Sequence, residues 1–310
     1  MSLVRAALLA ASRSPVLAQR ATRWRFVKRA VKRFMPGERL DDALGAAESL
    51  RQEGLPSILT SLGENVVDAA AAAAVASHYI EALDRCSGRS LDAEVSVKLT
   101  HLGLDLDPSM ASAHVARIAG HAERLGRRVW IDMEDSTYTD ATLSLYRELR
   151  PRHPLLGVAL QSYLRRTPGD LERLLPLGPA VRLVKGAYRE PPDAAFPRKQ
   201  DVDEGFFRLA LRLLGPEGRE AGAWAVLGTH DEALIRRILA AAGAEGAPPA
   251  GFEIAMLYGI RRDLQRSLAR GGRRVRVLIS YGPSWFPWYM RRLAERPANL
   301  WFVARSVMRR

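Results

Sequence analysis

Eight short apolar runs, separated by stretches of helical periodicity, constrain this chain more than any other feature. They read SILTSL at 57–62, EVSVKL at 94–99, RVWIDM at 128–133, GVALQS at 157–162, AVRLVKG at 180–186, WAVLGT at 224–229, FEIAML at 252–257 and VRVLIS at 275–280. Between them lie amphipathic stretches such as ENVVDAAAAAAVASHYIEALDR and MASAHVARIAGHAERLG. Near-continuous apolar strands that alternate with helices indicate a parallel sheet buried on both faces. Eight such units in about 250 residues predict an α/β fold, a closed (β/α)8 barrel of the TIM type. The competing solution is an open doubly wound sheet, and no Gly-x-Gly-x-x-Gly follows an early strand to support it.

Residues 1–54 are expected to form N-terminal helical arms, and 55–310 the barrel. Hydrophobic residues at 47% and charged residues at 26% exclude wholesale disorder. Cys86 stands alone, which excludes an internal disulfide framework and a Cys-rich zinc site. No run approaches the ~18 apolar residues of a membrane span. The net charge of +13 is uneven. Ten basic residues face Glu38 alone before residue 41, and 13 face only Asp263 and Glu295 after residue 260, so the centre is net acidic. The Arg-rich opening has the character of a transit peptide. The same character continues past it, with Trp24, Val27, Val31 and Phe34 on one helical face, so a basic helix lying on its own domain is expected. No nucleic-acid-binding module accompanies the charge, and nucleic acid is not an expected partner. The expected location is the cytoplasm, with the basic ends able to meet the inner face of a membrane.

Barrel chemistry sits at the C-terminal ends of the strands. Those ends carry Glu64, Lys98, Asp132 with Glu134 and Asp135, Gln161, Lys185 with Tyr188, Thr229 with His230, and Tyr258, whereas the opposite ends read as ordinary. Lys98 and Arg182 lie inside strand runs, where a cation is costly unless it pairs or binds an anion. The six histidines are scattered and no metal is expected. Neither Lys98 nor Lys185 is excluded from Schiff-base chemistry of the aldolase kind. In WFPWYMRRLAERPANLWF, Arg291 and Arg292 follow Trp285, Phe286, Trp288 and Tyr289 on an expected lid helix near 285–296. Arginine offers a planar fork of donors that suits a carboxylate. Pattern alone gives an anion-handling barrel enzyme.

The strings VSVKLTHLG, WIDMEDS, GVALQSYL, VRLVKGAY, GTHD, FEIAMLYGIR and YMRRLAERPAN, in this order, resemble the proline dehydrogenase family from about Arg33 onward. The length is similar to that of the monofunctional bacterial type, without a fused aldehyde dehydrogenase. The resemblance implies a distorted (β/α)8 barrel with FAD that oxidises L-proline to Δ1-pyrroline-5-carboxylate by hydride transfer to flavin N5. It implies a membrane quinone as electron acceptor, and Δ1-pyrroline-5-carboxylate dehydrogenase is a candidate partner. A related dehydrogenase of hydroxyproline or another cyclic imino acid is the nearest alternative.

Carried over by position, Arg291, Arg292 and Lys98 would bind the substrate carboxylate, and Glu64 would pair with one arginine to hold the lid closed. Asp132 and Arg182 match residues regarded as catalytic. Met133, Gln161, Lys185, Gly186, Ala187, Thr229 and His230 match flavin contacts, with Lys185 and His230 able to neutralise the pyrophosphate. Leu257 and Tyr289 would line the proline site. Two positions depart from the family's usual pattern: Leu278 stands where tyrosine is common, and Ala255 where glutamine is frequent.

Overall fold

Each expected apolar run forms a strand in the computed structural model, which describes residues 31–295, with side chains through Met290. The strands are β1 Ser57–Ser61, β2 Ala93–Val97, β3 Val129–Ile131, β4 Leu156–Gln161, β5 Ala180–Val184, β6 Trp224–Gly228, β7 Phe252–Leu257 and β8 Val275–Tyr281. All neighbours are parallel and β1 closes the barrel on β8, with Thr60 opposite Ser280. The arms expected over residues 1–30 lie outside the described residues.

Local chemistry fixes where the intervening helices begin. Asp68 caps the helix Ala69–Gly88 by accepting from Ala71 N at 2.7 Å. Asp107 does the same for Pro108–Arg124 through Ser109 N at 2.8 Å, with proline at the first turn, where its missing N–H costs nothing. Side chains such as Val95, Val97, Val129, Ile131 and Val158 point outward and join Val115, Ile118, Tyr146 and Phe206 of the helices in the main core.

The departure from a regular barrel lies at the β8–β1 seam. The outer wall there is covered by the helix Leu40–Gln52, whose Leu44, Ala47 and Leu50 pack with Leu59, Val277 and Ile279. The helix that follows β8, Trp285–Glu295, packs instead with Leu62, just past β1, and with Val31, Phe34 and Met35. That places it at the C-terminal end of the strands, where a lid was expected.

The interior holds a finding that the sequence reading missed. The N-terminal strand ends are not ordinary. Arg276 is 2% exposed and donates to both oxygens of Glu253, at 2.6 and 3.0 Å. Glu94 lies 3.6 Å from Arg276 and accepts from Trp130 Nε1 at 2.6 Å. Asp92 and Arg274 extend the group at 3.1 and 2.9 Å. These charges form a floor beneath Ile58, Trp130, Ala180 and Val226. Gly157 makes room for the Trp130 indole, since a Cβ there would sit 2.5 Å from it.

Candidate active site

Period-two alternation places Ser96, Lys98, Asp132 and Arg182 inside the barrel, because Val95, Val97, Leu99, Ile131 and Leu183 all face the helices. The four converge. Asp132 accepts from Ser96 Oγ at 2.9 Å and Lys98 Nζ at 3.3 Å, and forms a short ion pair with Arg182. Arg182 also donates to Ser96 Oγ at 2.9 Å, and its guanidinium lies 5.5 Å from the Trp130 ring centroid. Burial alone would raise the Asp132 carboxyl, but Arg182 and Lys98, with Ser96, outweigh it and hold its pKa below the ordinary value. The aspartate is thus a fixed anion between two cations.

Three inward-facing polar atoms, Gln161 Oε1, Arg182 Nη1 and Ser280 Oγ, are buried without a hydrogen-bond partner among the described residues. Unpaired buried polar atoms are rare in folded proteins. A cluster of them at one mouth is what a bound polar molecule would complete. Gln161 is oriented from its other end, donating to Met133 O at 3.2 Å and Glu134 O at 2.6 Å.

Glu134, beside this group, is 4% exposed and accepts from Thr100 N at 3.1 Å and Thr100 Oγ1 at 2.7 Å. Its pKa is pushed up to about 7 by burial, against the pull of Thr100 and Lys98. A carboxyl raised in this way stabilises the fold fully below its unfolded pKa near 4.5 and loses that contribution as pH rises through about 7. Glu134→Gln is therefore expected to exceed the parent in stability above neutral pH by about 2–3 kcal/mol. The difference should fade toward about pH 4, as urea titrations across that range would register. Parallel curves would remove Glu134 from the pH response.

Lys185 and His230 each meet partners within the protein. Lys185 Nζ is held by Asp203 at 2.5 Å and Asp231 at 3.1 Å, and Lys199 reaches the same Asp231 oxygen at 3.2 Å. Burial would raise Asp231, yet the hydrogen bonds from Lys185, Leu234 N and Lys199 bring it down to about 2. Lys185 is therefore half of a balanced network, not a bare cation. His230 Nε2 accepts from Leu257 N at 2.8 Å, which requires that nitrogen to be unprotonated. His230 Nε2 is thereby engaged by the backbone at the end of β7. Thr229 is 4% exposed, and its hydroxyl accepts from Asp231 N at 3.2 Å.

Glu64 follows β1, and Gly63 before it rests directly on the His101 imidazole with no space for a Cβ. Burial, reinforced by Lys98, drives His101 down to about 4 despite Glu64 nearby, so the ring is neutral. Leu257 pairs in register with Leu278; both are half-buried, and Leu278 packs with Ala255 in the barrel interior. Tyr289 is buried, its ring centroid 6.3 Å from Phe34 and 6.2 Å from Trp285, with its hydroxyl unpartnered among the described residues. Burial lifts that hydroxyl to about 12. The helix Trp285–Glu295 runs through Arg291 and Arg292, whose side chains lie outside the described residues. Met133 and the Gly186–Ala187 turn lie on the loops after β3 and β5. Ser96, Asp203 and Lys199 were missed in the sequence reading; for Ser96 a signal existed, since Glu94, Ser96 and Lys98 are the alternate polar positions of one strand.

The model of the family described as "Proline dehydrogenase" matches residues 43–305. "Proline dehydrogenase 1" of Bacillus subtilis subsp. natto is 37% identical over 280 residues, covering 90% of this chain and 91% of that protein. The "Proline dehydrogenase" of Deinococcus radiodurans is 35% identical over 316 residues, covering 99% of this chain and 98% of its own. Among solved structures, proline utilization A from Bdellovibrio bacteriovorus, inactivated by N-propargylglycine, aligns with a TM-score of 0.78 at 22% identity. That alignment covers 86% of this chain but 32% of the larger protein, and speaks for the fold. A family model spanning most of the barrel, and relatives above a third identical from end to end, place this chain in the proline dehydrogenase family.

Proposed function

We propose that this chain oxidises L-proline to Δ1-pyrroline-5-carboxylate with FAD as cofactor. The observation that carries this reading is the Lys98–Asp132–Arg182 cluster at the barrel mouth, with unpartnered donors and acceptors around it. The residues fit a flavin. Gln161 Oε1 and Arg182 Nη1 are the unfilled partners a hydrogen-bonding heterocycle requires, and Gly186 and Ala187 let backbone approach it closely. Gln161, Arg182, Thr229, His230 and the Met133 and Gly186–Ala187 backbone would hold it, with Lys185 toward its phosphates. When bound, FAD supplies the acceptor for the hydride leaving the carbon beside the ring nitrogen.

The chain's own residues position the substrate. Arg291, Arg292 and Lys98 grip its carboxylate, Leu257 and Tyr289 border its ring, and Glu64 ties the lid arginines to the barrel. Arg182 would supply a cation for the negative charge that builds up on the reduced cofactor. Such chemistry depends on alignment and exclusion of water more than on acid–base groups. A quinone at a membrane surface takes the electrons onward, and a Δ1-pyrroline-5-carboxylate dehydrogenase consumes the product.

An absorbance spectrum before and after proline tests the assignment: a yellow protein that bleaches supports it. A colourless protein that FAD cannot reconstitute would sink it. Arg291→Met and Arg292→Met are each expected to raise the proline KM roughly 10- to 100-fold, the loss of a charge-assisted hydrogen bond of about 1.5–3 kcal/mol. Unchanged KM in both would take them out of the carboxylate site. Leu278, half-buried inside the barrel beside Ala255, favours a second reading in which a hydroxylated ring is accepted. Leu278→Tyr should then shift the ratio of kcat/KM for proline to that for hydroxyproline, and an unmoved ratio would exclude a ring contact.

A further inference from the structure

The loop after β5 carries Gly186, Ala187 and Tyr188 and does not return to a helix until Lys199. Tyr163, at the end of β4, is the template on which it is wound. Tyr163 N donates to Lys185 O at 3.0 Å and Tyr163 O accepts from Phe196 N at 2.8 Å, so one residue's backbone grips both ends of the loop. Arg165 N adds a bond to Ala194 O at 2.9 Å. Within the loop, Gly186 adopts φ +116°, and the Tyr163 ring occupies the space where any Cβ would lie. The Tyr163 hydroxyl then donates to Glu190 at 3.3 Å. Glu190 also accepts from Ser136 N at 2.8 Å and from the Ser136 hydroxyl, on the loop after β3. Three loops meet at this carboxylate, and Tyr163 is only 9% exposed.

We propose that Tyr163 and Glu190 are positioning residues that hold the Gly186–Ala187 turn in its cofactor-binding conformation, setting cofactor affinity rather than the chemical step. The positive φ at Gly186, accessible to glycine without strain, explains why such a clamp is needed: a glycine turn is free in the unliganded chain unless its neighbours fix it. The Tyr163 hydroxyl bonds Glu190 and Glu190 bonds Ser136, and neither side chain bonds Lys98 or Asp132. This inference rests on the flavin reading above.

The experiment compares the full-length chain with Tyr163→Phe, Tyr163→Leu and Glu190→Ala, stripped of flavin and titrated with FAD. The FAD dissociation constant should rise about 3- to 10-fold for Tyr163→Phe, and by more than 10-fold for Tyr163→Leu and Glu190→Ala. Trypsin should cut the apoprotein variants faster at the exposed Arg189. At saturating FAD, kcat and proline KM should return to within about twofold of the parent, which a catalytic role would not allow. Parent-like FAD affinity and trypsin rates in Glu190→Ala and Tyr163→Leu overturn the positioning role alone. A parent chain that does not bind FAD overturns both the flavin reading and this role with it.

Discussion

Arg182→Met is expected to lower the rate of the reductive half-reaction about 10²- to 10³-fold while leaving the fold intact. Arg182 is buried under the mouth, ion-paired with Asp132, bonded to Ser96 and stacked over Trp130. Its Nη1 has no partner among the described residues, so part of its hydrogen-bonding capacity is open to another group. Methionine keeps the volume over the indole and leaves Asp132 paired with Lys98 at 3.3 Å, which limits the damage to stability. Arg182→Lys should recover only part of the rate, because an ammonium cannot serve Asp132 and the vacant direction with one rigid fork. Stopped-flow bleaching of the flavin by proline measures both variants. A rate within threefold of the parent in Arg182→Met would show that the cation is structural.

The largest expected loss of stability lies at the other end of the barrel. Arg276→Met leaves Glu94 and Glu253 buried without their common partner, and breaking such a group costs about 3–5 kcal/mol. That approaches the whole stability of many domains, about 5–15 kcal/mol, so the variant should express poorly or unfold at low urea. Burial already pushes the Glu94 carboxyl up, and loss of Arg276, its strongest opposing influence, would push it further. The compensated triple variant Arg276→Met, Glu253→Met, Glu94→Gln should regain most of the stability, with glutamine keeping an acceptor for Trp130 Nε1. Urea denaturation of the single and triple variants distinguishes a costly buried charge from a cavity. An equally unstable triple variant would point to packing.

The strands were legible because a doubly covered parallel sheet demands unbroken apolar runs, and WAVLG or FEIAML permits little else. Asp132 and Arg182 stood out from the strand pattern and took their catalytic role from resemblance, but their ion pair lay beyond local pattern: they are 50 residues apart and meet only once β3, β4 and β5 are in register. The floor was missed for a related reason. Glu94, Glu253 and Arg276 each follow an ordinary alternation, and single charges near strand starts look like solvated edges until closure turns them inward. The contact of His230 Nε2 with Leu257 N lay beyond local pattern, since a sequence says nothing of which backbone N–H a ring nitrogen will meet.

The charged floor also governs traffic. With Arg276, Glu253, Glu94 and Trp130 filling the base, the barrel is closed at that end. On the proposed function, proline, its oxidised product and the electron acceptor would share the end covered by the Trp285–Glu295 helix. Reductant and oxidant then take turns, and steady-state rates should give parallel double-reciprocal lines, the ping-pong pattern. Each substrate in excess should hinder the other by standing in its way.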